Sequence, residues 1–299
     1  SFRVESLFRS SGLTNFKTVA GRSNTWRGDR VGGATVKGRK AGEALDPTRI
    51  VNEKLLITVD TTSYIRTPID YQDDWTAPDF QAEYSAEHGS AHAKAFDQAH
   101  LIQLIKAGSW VAPDSLKASG AFFDGISTTM TGYAAQTDAE LKADLIVKHH
   151  KAALATFVKR DLGGSLAEFV TLIEPDTFNV LLDHKKLMNV DFQGGNGDNN
   201  FAARRVGWLN GIRVIETPRF PTAAIAAHFL GPAFNVTAAE AKARVVIFHP
   251  RKTLVTVEAQ GMVARVWDDK ENFANVLDSY TMYTVGLKRG DCVAVLSTD

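Results

Sequence analysis

The sequence has very little cysteine, no long apolar run and no net charge, and each absence narrows the possible classes of protein. Cys292 is the only cysteine among 299 residues, so we expect no internal disulfide and no multi-cysteine zinc site, which suits a reducing compartment. No run approaches the roughly 18 apolar residues of a membrane-spanning helix, and the first residues have no signal-peptide pattern. The apolar fraction of 44% still allows a sizeable core in one large domain or two ordinary ones.

The residue patterns that usually identify an active site or a metal site are also missing. His88 and His92 are four residues apart, but Gly, Ser and Ala separate them where a zinc protease has a glutamate, so we expect two histidines on a helix surface. Glycines 194, 195 and 197 are not followed by the Gly-Lys-Ser or Gly-Lys-Thr of a phosphate loop. We therefore predict no catalytic residue, no cofactor and no metal. A metal-dependent enzyme that uses His88 and His92 is the less favoured alternative.

The charge is unevenly distributed although the total is zero. Residues 1–40 contain nine basic and two acidic side chains, a net charge of +7, so the remaining residues carry −7. A basic leading segment on an acidic body favours binding to a polyanion or to the acidic body of a neighbour. The alternative is a solvated, partly flexible N-terminus with no specific partner.

The stretch over residues 79–107 predicts one long helix. It has no proline and only one glycine, and a proline and an aspartate at 78–79 form a helix start signal. A helix of this length is roughly 40 Å long, which suits a flat, extended subunit better than a compact enzyme. The apolar side chains on one face at helical spacing are Phe80, Tyr84, Ala91, Ala95, Ile102 and Ile105. Because residues 101–105 are apolar nearly all round, we expect that end of the helix to be buried on several sides.

Residues 24–65 predict a long two-stranded excursion with limbs at 25–37 and 50–65. Apolar and polar residues alternate in the second limb, and the turn between the limbs reads GRKAGEALDPTR, with glycine and Asp-Pro turn chemistry. The first limb has few apolar residues, and an isolated hairpin of this kind is marginal in water. The hairpin therefore needs a surface to lie on, either another copy of the chain or its own domain.

The rest of the chain predicts an α+β fold without a strict βαβ rhythm. We expect a linker over 67–77 and a second helix over 138–162 with an aspartate N-cap. A strand over 168–173 is followed by a short capped helix, and further strands are expected at 211–217 and 293–296. The exposed loop QGGNGDNN occupies residues 193–200, within a middle lobe.

Five stretches, taken together in this order, carry a resemblance to a known family. They are VKGRKAGEALDP at the turn, EKLLITVDTTSYIRTPIDYQDDWTAPDFQAEYSAEHG before and into the long helix, IEPDTFNVLLDH, GWLNGIRVIETPRFP, and SYTMYTVGLKRGDCVAVL near the C-terminus. With the basic N-terminus, the bare hairpin and the long helix, they resemble the tailed-bacteriophage major capsid proteins of the Hong Kong 97-type fold. The resemblance covers nearly the whole chain and is greatest to the short-tailed phages (podoviruses).

The resemblance implies a division of the chain. Residues 1–23 correspond to an N-terminal arm and 24–65 to the extended loop over the neighbouring subunit. Residues 66–165 and 250–299 correspond to a peripheral domain with its spine helix at 79–107, and 166–249 to an axial domain. The residues that this division places at contacts between subunits are Arg27, Arg30, Lys37, Arg39, Lys40, Glu43, Asp46, Gly194, Gly195, Asn196 and Asn199.

The same resemblance implies a structural role rather than an enzymatic one. A capsid subunit assembles with copies of itself into hexamers and pentamers, and these form an icosahedral head around double-stranded DNA in the virion. Scaffolding, portal and decoration proteins are further implied partners, contact with DNA is non-specific, no membrane is involved, and assembly takes place in the host bacterial cytoplasm. An encapsulin-like compartment shell protein, which would share the fold but enclose an enzyme cargo, is the alternative within the fold.

Overall fold

The computed structural model describes the chain apart from residues 1–4, 20, 22, 77–79, 163–165, 190–198, 201–202 and 205, and apart from the side chain of residue 80. The helices described are α1 (Leu7–Ser10), α2 (Tyr71–Thr76), α3 (Phe80–Ala107), α4 (Asp114–Ala118), α5 (Ala139–Lys159), α6 (Pro175–Leu182), α7 (Lys185–Met188) and α8 (Pro250–Thr253). The strands described are β1 (Asn15–Thr18), β2 (Thr25–Val31), β3 (Asn52–Thr58), β4 (Thr62–Asp70), β5 (Ile126–Met130), β6 (Val170–Ile173), β7 (Trp208–Leu209), β8 (Ile212–Glu216), β9 (Ala243–Phe248), β10 (Leu254–Asp269), β11 (Ala274–Leu287) and β12 (Val293–Thr298). The mixed α+β class is confirmed.

The two longest strands form the centre of a four-stranded sheet. β10 and β11 pair antiparallel from the Leu254–Leu287 pair to the Asp269–Ala274 pair, with an irregular register near Gln260. β4 pairs antiparallel with the outer edge of β11, and β1 pairs parallel with the outer edge of β10. This sheet therefore joins the N-terminal segment and the strand after the hairpin to the C-terminal part of the chain.

The long helix predicted over 79–107 is confirmed as α3, which packs on the four-stranded sheet and on β9 and β12. Its last turns are buried on several sides, as expected from their apolar residues: Leu101, Ile102 and Leu104 are at most 1% exposed, and Ile105 is 5% exposed. Burial of these four aliphatic side chains anchors the C-terminal end of the helix in the core at about 1.5–3 kcal/mol each.

The buried face of the first half of α3 differs from the predicted one. His88, His92 and Phe96 are at most 6% exposed, whereas Tyr84 and Ala91 on the predicted apolar face are only half-buried. The expectation that both histidines lie on the helix surface is therefore wrong. The physical reason is that the sheet beneath this half of the helix presents hydroxyl groups, so histidine is a better partner there than an aliphatic residue.

A second sheet has six strands in the order β5-β12-β9-β6-β8-β7. β12 pairs parallel with β5 and antiparallel with β9, and β6 pairs antiparallel with β9 and parallel with β8. The predicted second helix is confirmed as α5, where the Asp138 carboxylate accepts hydrogen bonds from the backbone N–H groups of Glu140 (2.9 Å) and Leu141 (3.2 Å). α5 buries Ile146 and Phe157 against this sheet.

The predicted strand–cap–helix segment of the middle lobe is also confirmed. β6 leads to Glu174, whose carboxylate accepts from the backbone N–H of Thr177 at 3.3 Å and caps α6. The strands expected at 211–217 and 293–296 are β8 and β12. Since β6, β8 and β9 share one sheet with β5 and β12, strands from the predicted axial and peripheral segments form a continuous layer. The boundary of the axial domain at 166–249 stays a prediction.

The hairpin is shorter than predicted, because its second limb is divided between two strands, β3 and β4, that belong to different sheets. β2 pairs with β3 from the Thr25–Thr58 pair to the Val31–Asn52 pair, while β4 begins at Thr62 and joins the four-stranded sheet. The segment expected to be a linker over 67–77 contains the end of β4 and α2 instead. Exposed and more buried positions alternate through both strands, so this pattern does not show where the pairing partner changes.

The N-terminal segment is docked on the body from Ser6 onward. The Asp97 carboxylate of α3 accepts hydrogen bonds from the Ser6 hydroxyl (2.6 Å) and from the backbone N–H groups of Leu7 (2.7 Å) and Phe8 (3.1 Å). Phe8 is 1% exposed and Leu13 is 2% exposed, so both belong to the core. The extended arm predicted for residues 1–23 is therefore tied to the spine helix through a buried carboxylate over much of its described length.

Candidate functional site

The β2–β3 hairpin packs on the body at its base, and its connecting segment at residues 34–51 is exposed. The base of the hairpin is packed. Ile57 and Val59 are buried against Val255 and Val257 of β10. At Gly286 of β11 an added Cβ would lie 2.2 Å from Ile57 Cδ1, so only glycine lets the hairpin approach the sheet this closely.

Arg30, one of the predicted subunit-contact residues, fixes the base of the hairpin within its own chain. Its Nε–H donates to the carbonyl oxygen of Lys288 at 2.7 Å, and its Nη2–H donates to that of Leu287 at 2.8 Å. The guanidinium also lies 5.4 Å from the ring centre of Trp110. Burial lowers the pKa of Arg30, and the nearby Glu53 carboxylate partly opposes that effect. Arg27, another predicted contact, is half-exposed at the same base.

The hairpin tip, which we define as residues 34–51, is exposed along its whole length. Val36 is 97% exposed and Leu45 is 79% exposed, although both are aliphatic. Lys37 forms an ion pair with Asp46 across the tip, and the Glu43 carboxylate accepts from the backbone N–H of Lys40 at 3.0 Å. The tip therefore has a defined internal structure and presents apolar and basic groups to its surroundings.

The predicted contact residues in the tip lie together, whereas those in the glycine-rich loop are only partly described. Lys37, Arg39, Lys40, Glu43 and Asp46 are all on the exposed tip. Gly194, Gly195 and Asn196 lie outside the described residues. Asn199 holds the neighbouring strand of its own chain: its side-chain oxygen accepts from the backbone N–H groups of Gly207 (2.9 Å) and Trp208 (3.2 Å).

A buried polar layer between α3 and the four-stranded sheet was missed by the sequence reasoning. The Ser279 hydroxyl lies 3.0 Å from His88 Nδ1 and 3.1 Å from His92 Nε2, and His88 Nε2 lies 2.8 Å from the Thr67 hydroxyl. Burial lowers the pKa of both histidines. Three of their four ring nitrogens thus have hydroxyl partners in the sheet, which gives these side chains a packing role.

His100 extends this layer toward the N-terminal segment. Its Nδ1–H donates to the Phe96 carbonyl at 2.7 Å, and its Nε2 lies 2.6 Å from the Thr256 hydroxyl. Complete burial lowers its pKa to about 3, so the ring is neutral near pH 7. We call His88, His92 and His100 with their hydroxyl partners the histidine seam. In the sequence, only the spacing of these three histidines, at multiples of four residues along a helix, could have revealed the histidine seam.

The described residues were also compared with the requirements of a metal site, a reactive cysteine and a membrane-spanning helix. Within the part of the chain that the structure covers, no group of three His, Cys, Asp or Glu side chains is arranged to hold a metal ion. Cys292 is buried, and burial raises the pKa of its thiol to about 12, so it is a poor nucleophile at neutral pH. Among the described helices, none combines the length and apolar character needed to cross a bilayer.

Comparison with solved structures identifies the family of this chain. No protein-family model and no curated protein matches the chain. Among solved structures, it is similar to the asymmetric unit of the bacteriophage PhiM1 mature capsid, with 47% sequence identity and a TM-score of 0.86 over 98% of this chain and 87% of that chain. The capsid of cyanophage P-SCSP1u matches with 16% identity and a TM-score of 0.81, covering 96% and 86% of the two chains. Mycobacterium phage Che8 matches with 18% identity and a TM-score of 0.62, covering 97% and 88%.

The fold and the exposed hairpin together define a shell-forming structural protein of the Hong Kong 97 type. The two more distant matches show this fold alone. The similarity to the PhiM1 capsid extends over nearly the entire chain at an identity well above that needed for common descent, and this chain belongs to the tailed-bacteriophage major capsid proteins. Its closer resemblance to those of short-tailed phages stays a prediction.

Proposed function

We propose that this chain is the repeated subunit of a phage head and assembles into hexamers and pentamers that enclose double-stranded DNA in an icosahedral shell. The observation that carries the proposal is the 47% identity, over 98% of the chain, to the subunits of a mature phage capsid. The hairpin tip supports it, because an aliphatic and basic surface this exposed in one chain is stabilised when a neighbouring copy covers it.

The predicted domains give each part of the chain a role in the shell. Residues 24–65 form the extended loop that lies over the neighbouring subunit, with Arg27 and the charged tip residues as contacts. Residues 66–165 and 250–299 form the peripheral domain. Residues 166–249 form the axial domain, whose loop at 193–200 faces the centre of a hexamer or pentamer. Arg30 supports the extended loop indirectly, since its hydrogen bonds set the angle at which the hairpin leaves the body.

The remaining partners follow from this role. Scaffolding and portal proteins take part in assembly in the host bacterial cytoplasm, a decoration protein binds the finished shell, and the packaged DNA is held by non-specific charge contacts. The chain has no enzymatic activity and needs no cofactor. The encapsulin-like alternative is less well supported, because the relative at 47% identity is a phage capsid.

Electron microscopy of the purified, expressed chain tests the proposal. We expect closed particles of megadalton mass, formed by the chain alone or with its scaffolding protein, with rings of five subunits at the vertices and rings of six between them. A chain that remains a small monomer in every condition would contradict the proposal. Proteins that co-purify with the particles separate the two shell hypotheses: head proteins for a phage capsid, an enzyme cargo for an encapsulin-like compartment.

A further inference from the structure

Three adjoining concave surfaces meet at the short helix α8. The first lies between α8 and Arg213 of β8, and the second lies between α8, the hairpin base and Lys288. Arg251 of α8 lines both of them. The third extends to Arg160, just after α5, and shares Lys252 with the second. The three surfaces are therefore continuous, and we call them together the basic groove.

The basic groove carries far more positive than negative charge. Its basic lining residues are Arg30, Arg160, Arg213, Arg251, Lys252, Lys288 and Arg289, and its acidic lining residues are Asp29, Asp161 and Glu168. These side chains give the lining a net charge of +4, in a chain whose total charge is zero. A concave surface lined mainly by charges of one sign concentrates the potential and attracts ligands of the opposite sign.

Several of these cations have no acidic partner within the chain. Arg289 pairs with Asp291 at 2.6 Å, and Arg30 donates to two backbone carbonyl groups. Elsewhere in the groove the ion pairs are missing: in the part of the chain that the structure describes, no carboxylate lies within 4 Å of the charged nitrogens of Arg213, Arg251, Lys252 or Lys288. The charge of these four side chains is therefore available to a ligand.

The backbone holds the central cations in a fixed arrangement. The N–H groups of Lys252 (3.3 Å) and Thr253 (3.2 Å) donate to the carbonyl oxygen of His249 and close the single turn of α8. The carbonyl oxygen of Thr253 accepts from the N–H of Lys288 at 2.8 Å, which fixes Lys288 beside α8. Successive helical residues point about 100° apart, so Arg251 and Lys252 flank the helix on different sides. An anion that follows the groove meets a scaffold that is already ordered, which lowers the entropy cost of binding.

The groove has little of the apolar surface that forms the centre of a protein–protein contact. Among its described lining residues, Leu13, Phe122 and Leu162 are at most 8% exposed, whereas Val31 is 54% exposed. Contacts between proteins bury apolar and aromatic side chains at their centre. Contacts to a nucleic-acid backbone depend instead on Arg and Lys side chains placed against phosphate groups. The chemistry of the groove therefore favours a phosphodiester chain over the acidic surface of a protein.

We propose that the basic groove binds the phosphate backbone of double-stranded DNA, through Arg213, Arg251, Lys252 and Lys288. This inference rests on the proposed function and assigns residues to the contact with packaged DNA. In a closed shell around DNA, it places the groove on the inner surface. Phosphate contacts carry no base recognition, so one groove serves every packaged sequence. Four such contacts give a slope of about −3.6 for the logarithm of the binding constant against that of salt concentration, a loss of about 150-fold between 50 and 200 mM salt.

A salt series with a fluorescent DNA duplex of about 30 base pairs tests the residues in the purified full chain. The groove variant combines Arg213→Gln, Arg251→Gln, Lys252→Gln and Lys288→Gln, and the matched control combines Lys148→Gln, Lys151→Gln, Lys159→Gln and Lys186→Gln, four exposed cations outside the groove. The groove variant should reduce the steepness of the salt slope by about 3.6, and the control by less than about 1. Equal slopes for the two variants would overturn the inference. A polyglutamate peptide that displaces the duplex at equal charge concentration would overturn it too, in favour of an acidic protein partner.

A measurement on wild-type heads does not depend on the folding of any variant. Heads that contain DNA and heads emptied of it are treated with acetic anhydride, and the acetylated lysines are identified by mass spectrometry. Lys252 and Lys288 should lose most of their reactivity when DNA is present, while Lys148 and Lys151 react equally in both. If closed particles form but Lys252 and Lys288 react equally with and without DNA, the inference is wrong and the shell function stands. If the wild-type chain forms no closed particles, the proposed function and this inference both fail.

Discussion

Removing residues 38–47 should leave the chain folded and abolish its assembly. These ten residues form the centre of the hairpin tip, and the hydrogen bonds and ion pair that they make there, between Lys37 and Asp46 and between Lys40 and Glu43, lie within the tip. An added Cβ at Gly38 or Gly42 meets no atom within 4 Å, which shows how little of the body lies near. The deletion therefore removes intermolecular contacts while the core remains intact.

The expected change in the free energy of unfolding is small. The segment between β2 and β3 shortens from about twenty residues to about ten, which reduces the entropy cost of loop closure by about 0.6 kcal/mol. Against this, Leu45 is already 79% exposed, so its loss removes at most about 0.5 kcal/mol of burial. The two contributions nearly cancel, and Tm should move by less than about 4 °C.

Thermal unfolding followed by circular dichroism measures the first outcome, and sedimentation velocity measures the second. A variant in which residues 38–47 are replaced by ten Gly and Ser residues is the control, since it keeps the loop length and removes only the side chains. Both variants should sediment as small species with wild-type secondary structure. Loss of the folded state in the deletion variant, or particles of normal size from either variant, would refute the reasoning.

Three further predictions concern the stability of the single chain. Asp97→Ala should cost about 3 kcal/mol in the free energy of unfolding, because three donors of the N-terminal segment lose their acceptor in a buried site. Gly286→Ala should destabilise the chain by about 1–3 kcal/mol through overlap with Ile57, and Ile57→Ala in the same chain should recover part of that loss in chemical denaturation. The histidine seam should make stability fall as pH drops below about 6.5, since the unfolded chain binds protons there that the buried neutral rings of the folded chain do not.

Each of these predictions has its own control. Asp97→Asn keeps one acceptor oxygen and should lose less stability than the alanine variant. An Ile57→Ala change alone should destabilise the chain through its own cavity, so the coupling with Gly286→Ala is read from a double-mutant cycle. For the histidine seam, the change in denaturation midpoint between pH 7.5 and 5.5 is compared with that of His100→Gln, which removes one ring of the seam and should show a smaller change. Equal midpoints at the two pH values would contradict the role assigned to burial.

Local signals in the sequence were sufficient for much of the secondary structure. The Asp138 cap begins α5 and the Glu174 cap begins α6, because a side-chain acceptor at these positions satisfies N–H groups that the helix itself leaves unpaired. The absence of proline over nearly thirty residues, a proline–aspartate start signal and apolar residues at helical spacing together predicted α3. The order of such elements, with several sequence stretches, was also sufficient to identify the family, which similarity to a phage capsid then confirmed.

Only the tertiary structure decided which faces are buried and which surfaces remain uncovered. Exposed and more buried positions alternate from residue 52 to residue 65, yet these residues divide between two sheets, because alternation reports a buried face and not the identity of the pairing strand. His88 and His92 appeared to be surface residues until Ser279, almost two hundred positions later, was placed against them. Helical spacing records which side chains share a face, whereas burial depends on the element packed against that face, and contacts between distant segments determine it.

The same distinction applies to the exposed parts of the chain. The sequence by itself determined that the chain has a basic, poorly packed hairpin, because composition and turn chemistry are local properties. The structure alone brought Tyr71 and Trp75 to Phe273, about two hundred residues away, and left Trp75 and Phe273 exposed at one end of a sheet. Pairing of β4 with β11 produces that arrangement, and strand pairing over such a separation depends on the folded chain as a whole.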